Sequence, residues 1–411
     1  MKSVCSISFF TCVFYYKLVC VFKANVKHFW TSLVELVSLE RIITSCQMKK
    51  EKEQEESKTK LYKWDFYISG PTHLTSVDWR KQDHTRSVLA SLIQGVYIIG
   101  RDRQQKRTED KALAPSWWNF FHFQPIKTLI DPFDSSIFGS IFEHKFHTHT
   151  PNYDHLGLPP RYVIAFRGTI LEPDTRKRDL YLDVQIPLNG LTRDPRYHIS
   201  YQEVQTILNQ TSPKDVVLTG HSLGAAIALQ VGKDITKKGS HIPTYLFNPP
   251  YTCAPIERIN NPYLKSKIRV AKSMVTAGVY KVVKKNNTLT RELDPFYSLC
   301  SWIPNLFVNP NDPFSCEYIG YFEHRGRMKE MGKDKTENIA MKNSLMSMLA
   351  GAFGRDNEAP HLIPSALLVK NMVSLGQTIK EAHCVDQWWK PHPHWDSKLY
   401  LWENVIVNNY V

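Results

Sequence analysis

Residues 217–229 read VLTGHSLGAAIAL, and this stretch constrains the fold more than any other part of the chain. A short run of β-forming residues leads into Gly220-His-Ser-Leu-Gly224, and small residues suited to a closely packed helix follow it. Glycines two positions on either side of Ser222 remove the Cβ atoms that would collide where a strand turns sharply into a helix. The pattern therefore predicts a strand, a tight turn and a helix, with the Ser222 hydroxyl exposed at a sheet edge. The alternative is a serine that only caps the helix.

The segments around this unit alternate between strand and helix patterns. Apolar runs rich in β-forming residues predict strands at 137–144, 162–166, 215–218, 244–247 and 306–308. Helical patterns cover 198–208 and 225–234, and a helical insertion spans about 256–283. This alternation predicts a mainly parallel sheet flanked by helices, and with the turn at Ser222 it is typical of an α/β-hydrolase fold with helical insertions.

A long amphipathic helix is predicted ahead of the first strand. Val88, Leu92, Val96 and Ile99 recur at helical spacing, and residues 75–78 (TSVD) form a capping-box pattern before them. The aromatic run SWWNFFHFQ (116–124) follows. We predict that it packs in the core, and the alternative is the lining of an acyl channel.

Serine is a useful nucleophile only when a base takes its proton, so a histidine oriented by a carboxylate is needed. In this fold both should follow Ser222, in the order Ser, Asp, His. The run NLFVNPNDPF (305–314) predicts a strand and a loop that presents Asp312, and Asp294 is the alternative acid. His383, in EAHCVDQWW, is the predicted base because the two tryptophans would desolvate an imidazole. The alternative bases are His361, His392 and His394.

The oxyanion of a tetrahedral intermediate needs two preorganised hydrogen-bond donors. One predicted donor is the backbone N–H of Leu223, immediately after the nucleophile. The second is the N–H of Thr169, with its hydroxyl as a further donor, because Phe166-Arg-Gly-Thr169 directly follows the predicted strand YVIAF.

These motifs resemble those of the class 3 lipases, which are fungal lipase-like α/β-hydrolases. AFRGT matches the family's oxyanion motif, GHSLG its nucleophile turn, VNPNDP its acid loop and AHCVDQWW its late histidine segment. A wider set of matches between about residues 62 and 400 is similar to a plant subgroup described as lipase-like or esterase/lipase proteins: SGPTHLTSVDW, WWNFFHFQ, DSSIFG, LFNPP, APIERI and EYIGYFEHR. The resemblance implies Ser222 as nucleophile, Asp312 as acid, His383 as base, and Thr169 and Leu223 as oxyanion donors.

Two features depart from the family pattern. ILEPDTRKRDLYLD (170–183) replaces the Asn-Trp that commonly follows the Arg-Gly-Ser motif of the fungal enzymes, and no short amphipathic lid is evident beside that motif. The basic stretch IRVAKSMVTAGVYKVVKK (268–285) is predicted to be an ordinary packed helix. The alternative is a helix that covers the site or contacts an anionic membrane.

The distribution of charges, cysteines and histidines limits which partners, cofactors and cellular location are expected. The formal net charge of +13 is spread over small clusters instead of a basic stripe, so no nucleic-acid partner is expected. The eight cysteines contain no Cys-X-X-Cys pair and predict neither a disulfide framework nor a zinc site, which indicates a reducing, cytoplasmic location. Residues 144–149 (HKFHTH) lack accompanying carboxylates or cysteines, so no metal and no cofactor is predicted.

The first 61 residues are predicted to form an extension separate from a single domain at 62–411. Residues 4–22 are apolar but interrupted by Lys17, and they are a candidate signal or membrane anchor. Met48 is an alternative start, and it opens the charged linker MKKEKEQEESKTK.

The sequence predicts a serine hydrolase that cleaves carboxylic esters of lipid-like substrates through an acyl-enzyme, with peripheral membrane contact as a candidate property. One alternative is a catalytically silent binding or signalling protein on a lipase fold. Another is a scaffold anchored to a membrane by residues 4–22.

Overall fold

The computed structural model describes residues 70–71, 73–108, 111–114, 116–145, 157–169, 191–251, 255–286, 295–343, 348, 359, 361–372, 378–390 and 394–402. All of these lie within Tyr62–Val411, which forms one compact unit. Residues 1–61 lie outside the described residues, so the predicted division of the chain at that point stays a prediction.

The described strands form one eight-stranded sheet, and they follow one another across it in chain order. Strands β3 to β7 are parallel, whereas β1, β2 and β8 are antiparallel to their neighbours. The strands are β1 (Phe123–Ile130), β2 (Ile137–His144), β3 (Tyr162–Phe166), β4 (Val216–His221), β5 (Thr244–Phe247), β6 (Asn305–Val308), β7 (Ala366–Asn371) and β8 (Trp395–Tyr400). This confirms the predicted mainly parallel sheet and adds β1, β7 and β8, which the sequence patterns did not predict.

Helices cover both faces of the sheet. They are α1 (Gln82–Gln104), α2 (Pro195–Leu208), α3 (Leu223–Lys237), α4 (Pro262–Asn286), α5 (Pro295–Ser298), α6 (Glu317–Glu330), α7 (Asp334–Ala340) and α8 (Ile379–His383). The predicted insertion at 256–283 is the short 3-10 turn Ile256–Arg258 followed by α4. No helix among the described residues is long and apolar enough to cross a membrane, and residues 4–22 lie outside them.

The capping-box prediction for α1 is wrong. The helix begins at Gln82, and its N-cap Lys81 makes no side-chain capping bond. Asp78 instead accepts hydrogen bonds from the backbone N–H and the guanidinium of Arg80, each at 3.1 Å. Because the Asp78 carboxylate binds Arg80 in the loop before α1, residues 75–78 do not cap this helix.

Alternate residues of the central strands pack into two apolar clusters, one on each face of the sheet. Val216 and Leu218 of β4 belong to the cluster that contains α2, α3 and α6. Val217 belongs to the cluster under α1, together with Phe121 and Phe123 of the aromatic run. Because both faces are covered, every residue of β4 is buried.

The parallel strands bring their carboxyl ends to one edge of the sheet. The register pairs His221 of β4 with Phe247 of β5, and Phe247 with Phe307 of β6. The residues that follow these strands therefore emerge side by side, and they include Ser222 and Asn248.

Candidate active site

Ser222 occupies a strained turn between β4 and α3. Its backbone has φ 53° and ψ −124°, a left-handed conformation that non-glycine residues adopt only when the surrounding structure enforces it. A Cβ at Gly220 would lie 2.3 Å from the Gly224 carbonyl oxygen, and one at Gly224 would lie 2.5 Å from the Arg167 carbonyl oxygen. Only glycine fits at either position, as the turn pattern predicted.

Two hydrogen bonds join three of the residues singled out in the sequence. His383 Nε2 lies 2.9 Å from Ser222 Oγ, and His383 Nδ1 lies 3.0 Å from Asp312 Oδ2. Asp312 is buried, while the side chain of His383 is 23% exposed. The imidazole therefore bridges a buried carboxylate and a hydroxyl, and one side of it is open to solvent.

Asp312 follows β6 in a tight loop that supplies several donors. Its carboxylate accepts from Asn248 Nδ2 at 2.7 Å, from the Phe314 N–H at 3.0 Å and from the Ser315 hydroxyl. Burial alone would raise the pKa of Asp312, but the charge and hydrogen bond of His383, with those of Ser315 and Asn248, lower this pKa overall. Asp312 is thus a carboxylate at neutral pH and can only accept, so His383 Nδ1 carries a proton. When the imidazole is neutral, Nε2 then has the lone pair that can accept from Ser222.

His383 is the last residue of α8, and its backbone is held on both sides. A capping box between Thr378 and Glu381 starts this short helix. The carbonyl of Ala382 accepts from Asn248 Nδ2 at 3.0 Å and from Gln387 Nε2 at 2.8 Å. The ring of Phe314 lies against the imidazole, with centroids 4.9 Å apart. These contacts fix the ring that faces Ser222.

The two predicted oxyanion donors belong to segments that adjoin Ser222. Leu223 is the first residue of α3, so its N–H has no acceptor within the helix. Thr169 ends the oxyanion loop, which we define as residues 167–169 after β3. A Cβ at Gly168 would lie 2.8 Å from the Ser222 Cβ, so this loop lies directly against the nucleophile turn.

Comparison with known proteins identifies the family. The model of the family "Lipase (class 3)" matches residues 196–290, which include the turn at Ser222. A protein of Arabidopsis thaliana named GDSL esterase/lipase is 41% identical over 348 residues, covering 82% of this chain and 98% of that protein. The chain belongs to the class 3 lipase family. Like that family, it is a carboxylic-ester hydrolase. The letters GDSL do not occur in this class 3 lipase, whose Gly-X-Ser-Leu is Gly220-His-Ser-Leu223.

The two alternative bases that the structure describes, His361 and His394, are not hydrogen-bonded to the Ser222 hydroxyl. His361 is buried against Tyr251, with ring centroids 4.3 Å apart. His394 is exposed just before β8. Asp294 and His392 lie outside the described residues.

Sequence reasoning missed the side chains that hold the predicted acid and the predicted base in place. Asn248 follows β5 directly, is fully buried, and binds Asp312, the Ala382 carbonyl and, through Oδ1, the Trp388 indole N–H at 2.6 Å. Asn309 after β6 and Asn371 at the end of β7 both donate to Gln387 Oε1, at 2.8 and 2.9 Å. The available signal was an asparagine at the end of three successive parallel strands.

The predicted absence of a metal concerns residues 144–149. His144 ends β2 and packs edge-on against Phe123, with ring centroids 5.0 Å apart. Residues 146–149 lie outside the described part of the chain, and within that part no three His, Cys, Asp or Glu side chains converge as metal ligands.

Proposed function

We propose that this class 3 lipase is a serine hydrolase that cleaves carboxylic esters of lipid-like substrates through an acyl-enzyme. The observation that carries the proposal is the continuous hydrogen-bonded chain Asp312–His383–Ser222, with distances of 3.0 and 2.9 Å. It follows the chemical order that activates a serine: a carboxylate orients an imidazole, and the imidazole accepts the hydroxyl proton.

In the first half-reaction, Ser222 Oγ attacks the ester carbonyl carbon while its proton moves to His383 Nε2. The N–H groups of Thr169 and Leu223 stabilise the oxyanion of the tetrahedral intermediate. Its collapse breaks the bond to the leaving alkoxide, which takes the proton from His383. In the second half-reaction, a water molecule gives its proton to His383 and attacks the acyl group. The acid departs, and Ser222 regains its proton.

A fluorophosphonate probe tests the role of Ser222, because it reacts covalently with activated serines. We expect labelling of wild type and of Ser212→Ala, a control at an exposed serine, and no labelling of Ser222→Ala. Ester hydrolysis by Ser222→Ala should fall at least about 10³-fold. Equal labelling and equal hydrolysis by wild type and Ser222→Ala would overturn the assignment.

The lipid-like nature of the acyl group is supported by the family and by the ring of Phe314 beside His383. An apolar acyl chain gains from burial against such a surface, by about 0.8 kcal/mol for each CH₂ group. We expect kcat/KM for p-nitrophenyl esters to rise with acyl length from acetate to octanoate. A maximum at acetate would contradict a lipid-like acyl group.

We also propose a cytoplasmic protein that contacts anionic membranes through α4. The residues of α4 include seven lysines or arginines and no acidic residue. Its exposed side chains combine apolar groups with lysines: Tyr263, Leu264, Lys267, Met274, Val275 and Lys281. This is the composition of a helix that lies on an anionic lipid surface. The free cysteines Cys316 and Cys384 support a reducing compartment.

Vesicle sedimentation tests the membrane contact. We expect binding to phosphatidylcholine vesicles with 30% phosphatidylserine, and weaker binding by Lys267→Gln/Lys281→Gln. The matched control, Lys81→Gln/Lys214→Gln, removes two exposed lysines that precede α1 and β4. Equal losses in both double variants would indicate a net-charge effect and would reject α4 as the contact surface.

A further inference from the structure

Three hydrogen bonds form a continuous chain close to Ser222. This chain includes two residues outside the proposed triad, Tyr97 and His221. The Gly168 N–H donates to the Tyr97 hydroxyl oxygen at 2.6 Å, and Tyr97 lies 2.8 Å from His221 Nδ1. His221 Nε2 lies 2.6 Å from the His383 carbonyl oxygen. The chain therefore starts in the oxyanion loop and ends on the backbone of the base.

The donor and the acceptor of each of these three hydrogen bonds can be assigned by starting from the His383 carbonyl oxygen. A carbonyl oxygen can only accept, so His221 Nε2 must carry a proton. Burial, with a smaller effect of His383, lowers the pKa of His221 to about 3, so the ring is neutral and Nδ1 is an acceptor. Tyr97 then donates to Nδ1, and its oxygen accepts from Gly168. The chain has a single direction and every group in it is satisfied.

At its first end, the chain fixes the peptide that presents the Thr169 N–H. Tyr97 holds the Gly168 N–H, and the buried guanidinium of Arg167 donates to the Gly168 carbonyl oxygen at 2.6 Å. In a trans peptide, the N–H of Thr169 points away from that carbonyl. Gly168 is thus held on both sides, and the direction of the oxyanion donor is set. A Cβ at Gly168 would lie 2.4 Å from the Tyr97 oxygen, so this contact requires glycine.

At its other end, the chain holds the residue whose ring accepts the serine proton. His221 binds the carbonyl of His383 itself, whereas Asn248 and Gln387 bind the preceding carbonyl of Ala382. His221 also immediately precedes the nucleophile. A shift of Tyr97 or His221 would therefore move the base relative to both Ser222 and Thr169.

We propose that Tyr97 and His221 are positioning residues that keep the oxyanion loop and the base in register, a role that rests on the function proposed above for Ser222, Asp312 and His383. Neither residue exchanges a proton with substrate. They act by holding donor and base at the spacing that the transition state needs, where an error of about 1 Å can reduce the rate about 10²-fold.

Tyr97→Phe removes the hydroxyl and keeps the ring. We expect kcat for p-nitrophenyl butyrate to fall about 10- to 100-fold while KM stays within about twofold, because substrate binding does not use the hydroxyl. Tyr318→Phe is the matched control: this tyrosine is buried, and no hydrogen-bond partner of its hydroxyl is found among the described residues. Its kcat should equal that of wild type. All assays run well below each variant's melting temperature.

Two amide variants of His221 separate its two hydrogen bonds. The Gln amide in His221→Gln reaches the position of Nε2 and can donate to the His383 carbonyl. The shorter side chain in His221→Asn reaches only the position of Nδ1. We expect His221→Gln to keep at least about tenfold more kcat than His221→Asn. Equal activity of the two would overturn a role for the bond to His383.

A double-mutant cycle tests whether Tyr97 and His221 work as one unit. If they do, Tyr97→Phe/His221→Asn should lose little more kcat than the worse single variant. If the losses of the two single variants multiply in the double variant, the positioning role of Tyr97 and His221 is overturned. A Tyr97→Phe kcat within about twofold of wild type, with Ser222→Ala inactive, would also overturn it. Wild-type activity of Ser222→Ala would instead overturn the proposed function, and with it the positioning role of Tyr97 and His221.

Discussion

Asn248 contacts both the proposed acid, Asp312, and the helix that ends at the proposed base, His383. Its backbone is left-handed, with φ 48°, a conformation that asparagine tolerates better than most residues. Its amide nitrogen donates to Asp312 Oδ2 and to the Ala382 carbonyl, and its oxygen accepts from Trp388. One buried amide therefore fixes the distance between the carboxylate and the helix that ends at His383.

Asn248→Asp keeps the shape of this side chain and changes its chemistry. A second carboxylate would face Asp312, where the amide now donates, and like charges in a buried site repel. We expect kcat to fall about 10²-fold, measured on p-nitrophenyl butyrate. Asn209→Asp, at the exposed end of α2, is the control and should keep the wild-type kcat. Comparable kcat values for the two variants would contradict the role of Asn248.

Individual partners of this kind lie beyond what a sequence pattern predicts. Ser222 and His383 are separated by 161 positions, and their pairing was predictable only because the α/β-hydrolase fold fixes the order of the three roles along the chain. Asn248, Tyr97 and His221 have no such order. Their contacts depend on which strand ends become neighbours, and this is decided by the sheet.

At the scale of elements, β4, the turn at Ser222 and α3 were predictable because strand pattern, glycine spacing and small helix residues agree locally. The edge strand β8 was not, because its residues are mostly exposed and carry no apolar alternation. The start of α1 was predicted wrongly because Asp78 satisfies Arg80 instead of a helix. Local patterns thus predict an element well where packing requires that same pattern.

Two glycine-to-alanine changes test this reading of the nucleophile turn. Gly224→Ala forces a Cβ to within 2.5 Å of the Phe166 and Arg167 carbonyl oxygens, so the turn or the oxyanion loop must move. We expect the free energy of unfolding to fall by about 3 kcal/mol, with loss of ester hydrolysis.

Gly278→Ala is the matched control within α4, because a Cβ there meets no atom within 4 Å. Alanine should raise the free energy of unfolding by about 0.5–1 kcal/mol, since glycine loses more conformational entropy in a helix. Urea unfolding measures both. A Gly224→Ala protein as stable as wild type would show that the turn can accommodate a Cβ at this position.

At the scale of the whole molecule, we expect acid to weaken the fold through its buried histidines. Burial lowers the pKa of His221 to about 3, that of His324 to about 4 and that of His361 well below its usual range. Below pH 6.5, the ordinary pKa of histidine, these side chains bind protons in the unfolded chain but stay neutral in the folded protein. The stability is therefore full above this pH and is lost as the pH falls, by about 1.4 kcal/mol per unit for each histidine.

His361→Gln isolates one of these contributions. Burial raises the pKa of Glu317 and Glu337, which opposes the histidines, so a variant is compared with wild type. Between pH 6.5 and 5, the slope of unfolding free energy against pH should be shallower in His361→Gln by about 1.4 kcal/mol per unit. Parallel slopes in urea unfolding would show that His361 titrates alike in both states.

The order of the strands has a consequence for biosynthesis. Each strand pairs with the strand before it in the chain, so the sheet can grow from its first edge as the polypeptide leaves the ribosome. The oxyanion loop, the serine and the acid loop are added in turn. His383 comes last, after seven of the eight strands that the structure describes. A nascent chain thus carries Ser222 without its proposed base until His383 has been translated, and the proposed triad is then completed in a single step.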